Sequence, residues 1–169
     1  MIIKKIINGI DKCSNYIGII TAWLVFLLLF LVVLEVVRRF VFDAPTIWSF
    51  TITTWIYGAH FMLTAAYAHL YQQHVRIDLL YRFFSPKGQA ILDIISYLLF
   101  FLPFFIMLTV AGTKFAATAW ILGEHQQGLY SPHMGPIKTV IPISATLLLL
   151  QGISDFIKKI VFLIKGDTI

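Results

Sequence analysis

Apolar positions gather into four long runs, at about 17–37, 47–70, 90–120 and 141–164, with short polar stretches between them. Each run matches the roughly 20 residues an α-helix needs to cross a hydrocarbon core. The pattern predicts an all-α integral membrane protein with four transmembrane helices, folded as one membrane domain over residues 1–169. Ahead of the first run, Ile2, Ile3, Ile6, Ile7 and Ile10 fall on one helical face, with Lys4, Lys5, Asn8, Asp11 and Lys12 on the other. This 1–14 segment reads either as an amphipathic helix on the membrane surface or as a basic flank of the first span.

The polar stretches divide the remaining chain. Asp43-Ala44-Pro45 predicts a turn, and 71–85 a link carrying Gln72, His74, Arg76 and Asp78 beside Val75, Ile77 and Leu79, an amphipathic surface segment. Ser85-Pro86 has the form of an N-cap followed by proline at the first helical position. A helix from Pro86 to Leu122 would be about 55 Å long, well beyond a hydrocarbon core of about 30 Å. It must tilt, bend or project into water, and Pro103 is the expected bend. Residues 123–138 hold glycines, prolines, Glu124, His125, Ser131 and His133, and predict a loop without regular structure.

Composition sharpens this picture. The chain is 59% hydrophobic and 12% charged, against nearly half and a quarter in soluble domains. The net charge is +5, yet no basic cluster stands apart from the membrane flanks, so nucleic acid is not an expected partner. The lone Cys13 can form neither an internal disulfide nor a thiolate metal site. One side of the predicted bundle collects Lys4, Lys5, Lys12, Arg76, Arg82, Lys87, Lys158, Lys159 and Lys165; the other has Arg38, Arg39, Lys114 and Lys138. By the positive-inside rule both termini and the 71–85 link are cytoplasmic. Trp48 and Trp120 then fall at the outer boundary, where aromatic residues collect.

Candidate chemistry is sparse. Nucleotide-binding, metalloprotease and thiol motifs are absent, and no serine pairs with a histidine at a useful spacing, so no enzyme is expected and no cofactor or metal. Glu35 could serve as a proton site, but Arg38 and Arg39 follow at three and four residues, the spacing of a helical ion pair. His60, near mid-depth, could ligate haem, but an interhelical hydrogen bond is the simpler role. His69, His74 and Asp78 match no zinc spacing. Gly112 and Ala116 supply a small-residue face for helix packing, shared with Trp120. Lys114 either snorkels outward or pairs with another subunit.

Several of these residues resemble a known family. Arg39-Phe40-Val41-Phe42 closing the first span, Trp48 opening the second, His74-Val75-Arg76-Ile77-Asp78 between spans two and three, and Pro142 and Gln151 in span four are similar to the small membrane (Q) subunit of tripartite ATP-independent periplasmic transporters. The resemblance covers nearly the whole chain. It departs at Ser49-Phe50, where many members carry an acidic pair, and the 123–138 loop looks more like a branch associated with keto acids and other organic acids.

The resemblance implies a bacterial inner-membrane subunit without transport chemistry of its own. It would brace a large elevator-type subunit that holds the sodium and substrate sites, while a periplasmic binding protein delivers an organic acid. Arg38, Arg39, Trp48, His74, Arg76, Asp78, Gly112, Lys114 and Gln151 would then face partner subunits. Glu124, His125, Ser131 and His133 would lie where the binding protein docks. A self-sufficient dimeric exporter, coupled to protons through Glu35, is the competing expectation.

Overall fold

The computed structural model describes residues 2–72 and 83–165, and they form an all-helical membrane protein. In chain order the helices are α1 (Ile2–Ala22), α2 (Leu24–Phe40), α3 (Ser49–Leu70), α4 (Pro86–Ser96), a π-helical turn (Tyr97–Phe101), α5 (Leu102–Ile121) and α6 (Gly135–Lys165). Among the described residues, two continuous stretches are long and apolar enough to cross a membrane, Lys4–Phe40 and Pro86–Ile121. His74, Arg76 and Asp78 lie outside the described residues.

Residues 2–14 are not a helix separate from the first apolar run. They are the opening turns of α1, which runs without a break past Ser14. The interruption comes later, at Trp23, whose N–H bonds to the Ile20 carbonyl while the Phe26 N–H bonds to the Trp23 carbonyl. These i→i−3 bonds tighten one turn and let α2 continue the rod. The buried stripe of α1 also differs from the isoleucine face. Ile7, Ser14 and Thr21 are buried, spaced at seven, whereas Ile6 is exposed. In lipid the outward face is the greasy one, so the packed face is free to be small and polar.

Close approach of the helices depends on glycine at two crossings. A Cβ on Gly18 would stand 2.2 Å from the Tyr67 ring, fixing α1 against α3. A Cβ on Gly152 would stand 2.0 Å from Phe101, which the π turn presses onto α6. That turn explains how Pro103 is accommodated. The Leu102 N–H reaches back five residues to the Tyr97 carbonyl, widening the helix just before a residue that has no N–H and crowds the preceding turn. Where a bend was expected at Pro103, the structure places this π turn immediately before the proline.

The last helix begins earlier than the hydropathy implied. It starts at Gly135, so Lys138 belongs to its first turns rather than to a loop, and Pro142 lies inside the helix rather than at its opening. The preceding residues are also more ordered than expected. His125 and His133 form an isolated antiparallel bridge, closed by Gln126 N–H to the Pro132 carbonyl and Met134 N–H to the Glu124 carbonyl. Gly123 and Gly128 turn the chain at φ values of +59° and +140°, which favour glycine.

Candidate functional site

At one end of the bundle, polar side chains from five elements meet in a knot. Ser14 Oγ donates to Gln151 Oε1 at 2.7 Å, and Gln151 Nε2 donates to Asp11 Oδ1 at 3.0 Å. Ser154 Oγ also donates to Asp11 Oδ1, at 3.0 Å, and Lys158 Nζ stands 2.8 Å from Asp11 Oδ2. Lys158 extends the chain to Asp155 at 3.2 Å, and Asp155 to His69 at 3.5 Å. His69 in turn bonds the Tyr97 hydroxyl at 2.9 Å, and Lys159 pairs with Asp93. Gln151 and Ser154 are completely buried. Each member thus finds partners within the chain, as burial requires. The lysines expected as headgroup flanks, Lys158 and Lys159, instead tie α6 to α1 and α4.

Sequence reasoning overlooked most of this knot. Hydropathy averages Asp93 and Asp155 into their apolar neighbours, and Asp11 read as part of a solvated face. One signal was available: Gln151, Ser154, Asp155 and Lys158 fall at three- and four-residue intervals, one face of a helix.

The opposite end is held by contacts between residues closer in sequence. Glu35 accepts from Arg39 at 3.0 Å, from the Thr46 hydroxyl at 2.5 Å and from the Thr46 N–H at 3.4 Å. Arg38 Nε donates to the Ala44 carbonyl at 3.3 Å. Glu35 is therefore a clamp between the end of α2 and the turn into α3, an occupied carboxylate that gives no support to a proton-coupled exporter. Trp48 stands just before the first residue of α3, and Ser49 beside it is buried while Phe50 points out.

The 123–134 hairpin rests on this end. Gln126 Nε2 donates to Thr51 at 3.3 Å, Lys138 pairs with Glu124, and the Lys138 ammonium lies 3.9 Å from the Phe115 ring centre. The Gly135 N–H donates to His133 Nδ1 at 3.0 Å, which places the His133 proton on Nε2. His125 Nδ1 faces the Ser131 carbonyl at 2.9 Å and must carry a proton to bond it, leaving Nε2 as an acceptor. The two rings meet edge-on with centres 5.4 Å apart, and His133 also lies 4.8 Å from the Trp120 ring. A metal would need lone pairs from both rings. No group of three metal-ligating side chains occurs among the described residues.

The expected partner contacts divide accordingly. Gly112 is buried against Ile141 and Pro142 of α6, and Gln151 is sealed within the knot, so both serve packing inside this chain and offer no surface to a partner. Ala116, one turn on from Gly112, is also buried, while Trp120 is half exposed and donates to Thr139 at 2.9 Å. Lys114 is exposed on α5. His60 Nδ1 meets the Thr21 carbonyl at 2.8 Å beside the Trp23 break, an interhelical bond between α3 and α1. A cavity of about 730 Å³ opens beside the π turn, lined by Phe100, Phe101, Phe104 and Phe105 with His69 and Tyr97.

The chemistry on offer is cohesion within the chain and large apolar faces outside it. No residue of α2 is buried, and Leu27, Leu29, its valines and its phenylalanines are exposed, while Leu24, Leu28, Leu31 and Leu34 are half-buried. Compared with known families, residues 28–161 match the model described as tripartite ATP-independent periplasmic transporters, DctQ component. No curated protein matches the chain.

Proposed function

The chain belongs to the DctQ component of the tripartite ATP-independent periplasmic transporters, and on that premise we propose that it braces a larger membrane subunit during sodium-coupled uptake of an organic acid. The large subunit carries the sodium and substrate sites and moves. A periplasmic binding protein delivers the acid. This chain sits in the bacterial inner membrane with four spans and both termini in the cytoplasm, and it stays still.

The observation that carries the reading is how the polar groups are used. Asp11, Asp93, Asp155, His69, Lys158 and Lys159 are committed to one another, and Glu35 is committed to Arg39 and Thr46. A transport site needs polar groups that can exchange partners with a solute; a brace needs groups that hold helices together. Rigid-body movement of one membrane domain requires a fixed counterpart, and a knot across α1, α3, α4 and α6 supplies stiffness. The 123–134 hairpin, with exposed His125 and half-exposed His133, is the surface assigned here to contact with the binding protein.

Reconstitution tests the reading. Liposomes holding this chain alone should accumulate no organic acid under a sodium gradient. Co-expression with a tag on this chain should bring down one larger, many-span membrane protein in near-equal amount. Sodium-driven uptake by the isolated chain would overturn the proposal.

A further inference from the structure

Lys114 is an exposed cation on an apolar helix, and among the described residues it has neither an ion pair nor a side-chain hydrogen bond within the chain. The neighbouring cations are engaged. Arg39 meets Glu35, Arg38 meets the Ala44 carbonyl, and Lys138 meets Glu124 and the Phe115 ring. Lys114 sits seven residues before the end of α5 at Ile121, about 10 Å along the helix. Its surface is shared with Met107 and Val110 on one side and with Ala117 and Ile121 on the other, all exposed.

Snorkelling to the nearer headgroups is disfavoured by helix geometry. Side chains leave a helix leaning toward its N-terminus. For Lys114 that direction runs over Val110 and Met107, away from Ile121 and deeper into the apolar stretch. A lysine near the start of a spanning helix would lean toward water; this one leans from it. An ammonium so placed is costly in hydrocarbon unless an opposite charge meets it.

We propose that Lys114 pairs with an aspartate or glutamate on a transmembrane helix of another subunit. That carboxylate would be as poorly accommodated alone as the ammonium, so each subunit supplies what the other lacks. Ala111 and Ala117 beside Lys114 leave room for a helix to come close enough for the contact. The inference rests on the brace reading and adds to it the face of α5 that docks and the chemistry on the facing helix.

Carbodiimide treatment of the intact complex in native membranes tests it, because the reagent joins an amine to a carboxylate held against it. Peptide mass spectrometry should find Lys114 joined to an acidic residue of the larger co-purifying chain. Lys114→Met should lower recovery of that chain about tenfold, the factor that 1.4 kcal/mol represents, and Lys114→Arg should restore it. Thermal melting of the isolated chain should be unchanged in both variants, separating assembly from folding. Wild-type recovery with Lys114→Met overturns the proposal while leaving the brace reading intact, and so does reduced recovery without any carboxylate cross-link. Absence of a larger companion from the wild-type sample overturns both.

Discussion

Lys158 on the last helix holds Asp11 on the first at 2.8 Å, closing the bundle across 147 positions of sequence. Asp11 also accepts from Gln151 and Ser154, so three residues spaced along one face of α6 converge on one carboxylate. The isoleucine-rich beginning of the chain is thereby anchored by its polar residues, with Ile7 one turn before Asp11 as the apolar contact.

A double-mutant cycle on this pair should reveal direct coupling. Asp11→Ala and Lys158→Ala should each lower the melting temperature of the purified chain in detergent, and the double variant should lose less than the two added together. A coupling of about 1 kcal/mol is expected for contacting charged groups that are only partly shielded from water. Strict additivity would show that the contact does not hold α1 to α6.

The π turn makes a second demand. Gly152→Val places branched carbon where Phe101 already lies, and overpacking of this kind costs about 1–3 kcal/mol. Phe101→Ala in the same chain should recover part of the loss by vacating the space. Thermal unfolding of Gly152→Val, Phe101→Ala and the double variant checks this; an equal loss from Gly152→Val with and without Phe101 would place the strain elsewhere.

Substitution of Glu35 separates a clamp from a proton carrier. Glu35→Gln keeps a side chain that can accept from Thr46 but removes the charge facing Arg39. Sodium-driven uptake by the assembled transporter should persist with an unchanged pH profile, accompanied by a small drop in melting temperature. Loss of uptake with normal assembly would return Glu35 to the transport path.

The hairpin can be moved without touching the knot. A side chain at Gly135 would collide with both Trp120 and His133, each 2.6 Å from the Cβ position. Gly135→Val should therefore displace the His125–His133 bridge, weakening binding-protein-dependent uptake while leaving co-purification of the large subunit intact. Uptake kinetics at rising binding-protein concentration would show it as a higher half-saturating concentration.

Much of the helical plan was legible because lipid imposes it: long apolar runs, Ser85-Pro86 at a helix start and Pro103 beside an irregular turn are local signals. Ser85 Oγ does accept from the Gly88 N–H, as an N-cap should. What escaped was set by tertiary partners. Nothing local reveals that Asp11 and Lys158 meet, or that α1 buries Ser14 and Thr21 while exposing Ile6. The same holds for Gly152, whose meaning depends on a ring 51 residues away. The end of the loop was misplaced because Pro136 read as a breaker, whereas it falls in the first turn of α6, where its missing N–H costs nothing.

Proteoliposome transport is the most direct measure of whether this chain braces rather than carries. Vesicles with the large subunit, this chain and loaded binding protein should take up the organic acid when sodium is applied outside. Vesicles with this chain alone should take up none, and omission of this chain should abolish or sharply reduce uptake by the large subunit. Full uptake in its absence, or any sodium-driven uptake by this chain alone, would contradict the account.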